Sequence, residues 1–140
     1  IGDAWLVVAY SGTGSPTGRM VAKVANLISG FPQRMQEMEA IANITRAGLT
    51  ALSAGNLEGL GIAMDACHER LRKLEVSTKK LDRMVRAARP HSLGAKLTGA
   101  GGGGCMVALT QDPARVSEAI EIAGGRPLQT KLGSKGDRIL

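Results

Sequence analysis

Aromatic side chains are nearly missing from this chain: Trp5, Tyr10 and Phe31 are the whole complement, 2% of the residues. Proteins that read RNA or single strands stack bases on aromatic rings, so nucleic acid is not the expected partner. Charge alone would have pointed there, since 18 basic residues against 12 acidic ones leave a formal net charge of +6. Without aromatics, that surplus favours small anions such as nucleotide phosphates and acidic metabolites. Cysteine is also scarce. Cys67 and Cys105 lie far apart with no CxxC or Cys/His ligand spacing, so they are expected to be free thiols, buried or half-buried. No apolar run approaches the roughly 18 residues of a membrane helix, and no basic-then-apolar signal segment stands at the front. The expectation is a cytoplasmic protein with no membrane contact. The chain starts at Ile1 rather than Met and enters a strand-like run at Ala4, which suggests a piece of a longer protein.

What is present suffices for one domain with a core of its own: 140 residues, 44% hydrophobic and 21% charged. The run AWLVVAY at 4–10 reads as a strand, and it ends in the turn-rich Ser11-Gly12-Thr13-Gly14-Ser15-Pro16. From Thr17, placed to cap a helix, the apolar period changes. Met20, Val21, Val24, Leu27 and Ile28 recur at helical spacing up to Ser29-Gly30. A second helix is expected from about Gln33 to Ala54, with Met35, Met38, Ile41, Ile44, Leu49 and Leu52 inward, and a third from Asn56 with Leu57, Leu60, Met64, Cys67 and Leu71 inward. EVSTKKLDRMVRAARP supplies a fourth, capped by Ser77 or Thr78 and ended before Pro90. Two strands then flank a glycine run. A helix with Pro113 near its start and Gly124-Gly125 at its end follows, then a last strand, RPLQTKLG. The order β, helices, β, β, α, β is that of an α+β, ferredoxin-like split βαβ sandwich with an enlarged helical crossover.

The glycine run carries the most chemistry. KLTGAGGGGCMVAL at 96–109 puts five glycines into the six positions 99–104. Glycine loses more backbone freedom on folding than any other residue, so such a run persists where side chains would be in the way or φ must be positive. Consecutive amides without Cβ atoms can cradle an anion or let another loop pack closely. A glycine-rich hairpin turn accounts for the same residues. The run is not a Walker A loop, because no Gly-Lys-Ser/Thr follows and a strand comes after it. A dinucleotide fingerprint is excluded as well, since the strand-to-helix transition is missing.

KLTGAGGGGCMVAL resembles the third motif of the GHMP kinases, the family of galactokinases, homoserine kinases, mevalonate kinases and phosphomevalonate kinases. With LTGAGGGGC entire, it is most similar to the mevalonate kinase version; homoserine kinases tend to a shorter SGAGP form and galactokinases to TGGGFGG. The layout agrees along essentially the whole chain. The resemblance implies that residues 1–140 are the C-terminal domain of a kinase whose N-terminal ATP-binding domain is absent here. The triphosphate loop of Pro-x-x-x-Gly-Leu-Gly-Ser-Ser type does not occur in these residues. Asp3 does not stand in the context of the family's catalytic Asp, so no catalytic residue is expected in this stretch.

By resemblance, Thr98, Gly99, Ala100, Gly101, Gly102, Gly103 and Gly104 face the phosphate loop, and Ser11, Thr13 and Thr17 lie near the acceptor. The implied activity is Mg2+- and ATP-dependent phosphorylation of the mevalonate hydroxyl in isoprenoid precursor synthesis, with ATP and Mg2+ held mainly by the N-terminal domain. Phosphomevalonate, homoserine or a sugar are the alternative acceptors. The implied partners are the N-terminal domain, the small-molecule acceptor and, in a homodimer, a second copy. On the residues alone a non-catalytic ferredoxin-like module binding an anion or RNA stays open; it would put aromatics on an exposed sheet face. Thr17 as a plain helix cap, Lys96 as a solvated lysine or phosphate contact, and His68 and His91 in core or solvated roles are the competing assignments. Lys79, Lys80, Arg83, Arg86 and Arg89 read as one wet helix face, and Met35, Met38 and Met64 as core.

Overall fold

The computed structural model describes residues 4–12, 17–30, 35–98 and 104–132. Strand β1 spans Trp5–Tyr10 and is followed by four helices, α1 Thr17–Gly30, α2 Met35–Ser53, α3 Leu57–Lys73 and α4 Lys79–Ala88. A 3-10 turn at Arg89–His91 leads into β2, Gly94–Leu97; then come β3 Cys105–Thr110, α5 Pro113–Ile122 and β4 Arg126–Lys131. The four strands form one antiparallel sheet in the order β2-β3-β1-β4. This is the arrangement expected of a split βαβ fold, with α1 to α4 as the enlarged first crossover.

Local chemistry explains most of the boundaries. Asn56 caps α3 by accepting the Gly59 N–H at 3.0 Å, Thr78 caps α4 through the Leu81 N–H at 3.1 Å, and Asp112 caps α5 with Pro113 in the first turn. Of the two candidate caps for α4, Thr78 takes the role, and Ser77 turns to the Asp82 carboxylate instead. Helix α4 accordingly starts at Lys79, directly after that cap. Glu75 adopts a left-handed φ of 61° and closes α3, with Val76 N–H bonded to the Leu71 carbonyl and Glu75 N–H to that of Arg72.

Alternation along the strands sorts the two faces of the sheet. Val7, Ala9, Ala95, Leu97, Met106 and Ala108 share one buried face with Leu81, Met84 and Val85 of α4 and Val116 and Ile120 of α5. On the other face Leu109, Leu6 and Val107 meet Leu57, Leu60 and Met64 of α3. Helix α2 packs on α3 rather than on the sheet. For that reason Met35 and Met38, read as core, are 47% and 41% exposed, and Leu49 is 58% exposed. Met64 is buried as expected. Both cysteines are free, Cys67 buried and Cys105 half-buried.

Candidate functional site

The antiparallel pairing of β1 with β3 sets Tyr10 opposite Cys105, so the residue after β1 meets the residue before β3. The Ser11 N–H donates to the Gly104 carbonyl at 2.8 Å, and on the far side of β3 the Thr98 N–H donates to the Cys105 carbonyl at 3.0 Å. Three residues singled out from two distant stretches therefore converge on one end of the sheet. Ser11 is buried there and Thr98 half-buried. Thr17, expected to cap α1, is its first residue. Thr13, Gly99, Ala100, Gly101, Gly102 and Gly103 lie outside the described residues. At Gly104 the reason for glycine is conformational, because φ is +80° and a Cβ there would meet open space. Gly12 shares that requirement with φ +90°, and a Cβ on it would lie 3.6 Å from the Lys80 ammonium. The turn after β1 thus has a cation of α4 beside it. Lys80 is half-buried, unlike the exposed Lys79, Arg83 and Arg86 of the same basic stretch.

The stem of the glycine run is held from the side by α3. Strand β2 is an edge strand, and the amides that point away from β3 find acceptors on one helix face. Ala95 N–H donates to Asp65 Oδ1 at 2.8 Å, and Leu97 N–H donates to His68 Nδ1 at 3.0 Å. This closes the open edge of the sheet with side chains. His68 is 1% exposed, and its Nε2 lies 2.9 Å from Asp82 Oδ1. Asp82 also accepts Ser77 Oγ at 2.7 Å and Arg72 Nε at 3.2 Å. Arg89 leaves the basic face to reach Asp65 and Glu69, both at 3.1 Å.

These surroundings move the titrations. Burial drives the His68 pKa below its ordinary value of 6.5, outweighing the upward pull of the Asp82 hydrogen bond and charge. Burial works to raise the Asp82 carboxyl, yet hydrogen bonds from Ser77 and His68 and the Arg72 guanidinium hold it below the usual carboxylate range. Glu69 is likewise held low, by Arg72 and Arg89 against its desolvation. A neutral imidazole next to a charged carboxylate is the resulting state.

In the sequence His68 has no visible partner, and Asp65 and Asp82 belong to no motif. A signal was available: Gly61, Asp65 and His68 recur on the inward stripe of α3 with Met64 and Leu71, and polar residues on such a stripe need partners. Lys96 is half-buried, donates to the Leu97 carbonyl at 2.8 Å and lines a largely apolar groove of about 210 Å³ between α2 and α3. His91 is exposed, and its carbonyl accepts Thr110 Oγ1 at 2.6 Å.

Chemically, the described end of the sheet carries the Ser11 and Thr98 hydroxyls, while the amides of those two residues are spent on the Gly104 and Cys105 carbonyls. Among the described residues no group of three or more His, Cys, Asp or Glu could hold a metal ion. Hydroxyl groups suit phosphate oxygens or an alcohol. Residues 49–126 match the family described as GHMP kinases C terminal, more than half of the chain. The chain belongs to the GHMP kinase family. A mevalonate kinase of Pyrococcus furiosus is 39% identical to this GHMP kinase chain over 142 aligned residues, covering 96% of it and 42% of the relative. The crystal structure of L. major mevalonate kinase in complex with R-mevalonate matches with a TM-score of 0.77 at 32% identity, over 86% of this chain and 37% of that one. Streptococcus pneumoniae phosphomevalonate kinase, in complex with phosphomevalonate and AMPPNP, gives a TM-score of 0.79 over 93% of this chain and 40% of that one. At 19% identity that likeness is one of fold. The GHMP kinase chain thus spans less than half the length of the relatives it matches.

Proposed function

We propose that this chain is the C-terminal domain of an ATP-dependent mevalonate kinase and forms the wall that faces the transferring phosphoryl group. The observation that carries the reading is the Ser11 to Gly104 hydrogen bond of 2.8 Å, which ties the turn after β1 to the glycine run. In the proposal, Thr98 and residues 99–104 face the triphosphate, and Ser11, Thr13 and Thr17 border the acceptor pocket. Phosphoryl transfer asks little covalent chemistry of a protein; positioning and charge stabilisation do most of it, and amides and hydroxyls serve both. Identity of 39% across 96% of the chain to a mevalonate kinase supports mevalonate over phosphomevalonate, homoserine or a sugar as acceptor. ATP, Mg2+ and the catalytic base are assigned to the N-terminal domain. The described part of this chain has no carboxylate cluster to hold the ion, so no step is assigned to it here. A cytoplasmic location accords with this reading, and among the described residues no helix is long and apolar enough to cross a membrane.

The test is Gly102→Val in the full-length kinase. Added bulk in the run is expected to lower kcat by about 100-fold, as misplacement of reacting groups does, with the melting temperature close to that of the parent. Unchanged turnover with a lowered melting temperature would make the run a structural turn and nothing more.

A further inference from the structure

Leu97 ends β2, and the glycine run starts two residues later. The Leu97 N–H points away from β3 and is accepted by His68 Nδ1 at 3.0 Å, both residues being buried. An amide can only donate, so Nδ1 must carry its lone pair and the ring proton must sit on Nε2. That proton is donated to Asp82 Oδ1 at 2.9 Å. Asp82 is itself fixed by Ser77 and Arg72, which leaves the ring little freedom to turn. We propose that His68 is a positioning residue for the glycine run: its neutral ring, oriented by Asp82, holds the end of β2 at Leu97 and so fixes the point from which the run departs. The consequence for turnover rests on the kinase reading above; the hold on β2 does not.

The arrangement has a protonation limit. A doubly protonated ring would turn an N–H toward the Leu97 N–H, and the clasp would open. Among the described residues, the charged groups around His68 are Asp65, Glu69 and Arg72 on α3, Asp82 and Arg86 on α4 and Arg89 in the following turn, with Lys96 on β2 bonded to the Leu97 carbonyl. Burial and Arg89 favour the neutral ring, Asp82 and Glu69 the charged one, and the balance lies below 6.5. The folded state therefore holds this proton less tightly than the unfolded chain. The clasp is complete above pH 6.5 and is lost as pH falls through the lower, folded value.

The experiment uses the full-length kinase with its parent sequence, His68→Asn and His68→Leu. The Asn amide oxygen can replace Nδ1 as an acceptor and does not titrate, whereas Leu removes both bonds. Hydrogen exchange of the amides from 97 to 105, corrected for intrinsic rates, and kcat and KM are followed from about pH 8 down to the onset of acid unfolding of the parent. In the parent, protection and kcat are expected to fall together on the acid side. His68→Asn keeps both near neutral pH and flattens the acid limb; His68→Leu loses about tenfold or more in protection and kcat throughout. A folded His68→Leu with parental protection and kcat would overturn the proposal, as would an acid limb in His68→Asn identical to the parent's. Should His68→Leu fail to fold, the parent and His68→Asn series decide. Exchange as predicted in an enzyme that phosphorylates no acceptor would leave the clasp standing and remove the kinase reading. Turnover with exchange indifferent to His68 would do the reverse.

Discussion

At Gly61 and Gly94, helix α3 and strand β2 touch backbone to backbone. A Cβ built on Gly94 would overlap the Gly61 carbonyl, and one on Gly61 would overlap the Leu93 carbonyl. Backbone atoms in a helix and a sheet cannot step aside as the end of a flexible side chain can, so the contact leaves room for glycine only. Gly94→Ala is expected to destabilise the fold by about 3 kcal/mol, read as a lowered urea midpoint. A loss within about 0.5 kcal/mol, the range of ordinary surface changes, would show that α3 does not sit this close. The same contact sets the distance at which Asp65 and His68 reach the β2 amides. The stripe of α3 on which Gly61 falls could be read from the sequence but its neighbour could not, because Gly61 lies 33 residues from Gly94 and the docked helix is what brings the two together. The positions of Ser11 and Thr98 were legible, since each directly follows a strand whose alternation is local.

Among the elements, those with side-chain caps are the ones whose starts could be read. Asn56, Thr78 and Asp112 each accept an amide of the first turn of their helix, and a cap acts within four residues of sequence. The end of α3 was harder to see because a glutamate occupies the left-handed position that glycine usually fills. With φ 61° at Glu75, the L side chain bears a local penalty on the order of 1 kcal/mol. Glu75→Gly should therefore raise stability by about 0.5–1 kcal/mol, seen as a higher melting temperature with unchanged activity. A fall would mean that the Glu75 side chain contributes more than its backbone costs. Helix α2 shows the opposite limit of sequence reading. Its period was correct, yet Met35, Met38 and Leu49 remain exposed, because periodicity identifies an apolar face and not the element that covers it.

For the molecule as a whole, the order of elements and the antiparallel sheet bring Ser11, Thr98 and Gly104 to one end, with α3 holding β2 from the side. The family was accessible from a continuous 14-residue motif and the fold from the order of the elements and strand alternation. The braces were not, since His68, Asp82 and Leu97 meet only in three dimensions. In the proposed reading activity belongs to the longer protein, since this chain covers 42% of the length of the mevalonate kinase it matches. The most direct test is ADP release, in a coupled assay, by the chain joined to its natural N-terminal part, with Mg-ATP and separately mevalonate, phosphomevalonate, homoserine and galactose. Turnover on mevalonate and none on the other three is expected. Turnover on another acceptor alone would contradict the assignment to mevalonate, and silence on all four would contradict the phosphoryl-transfer site itself.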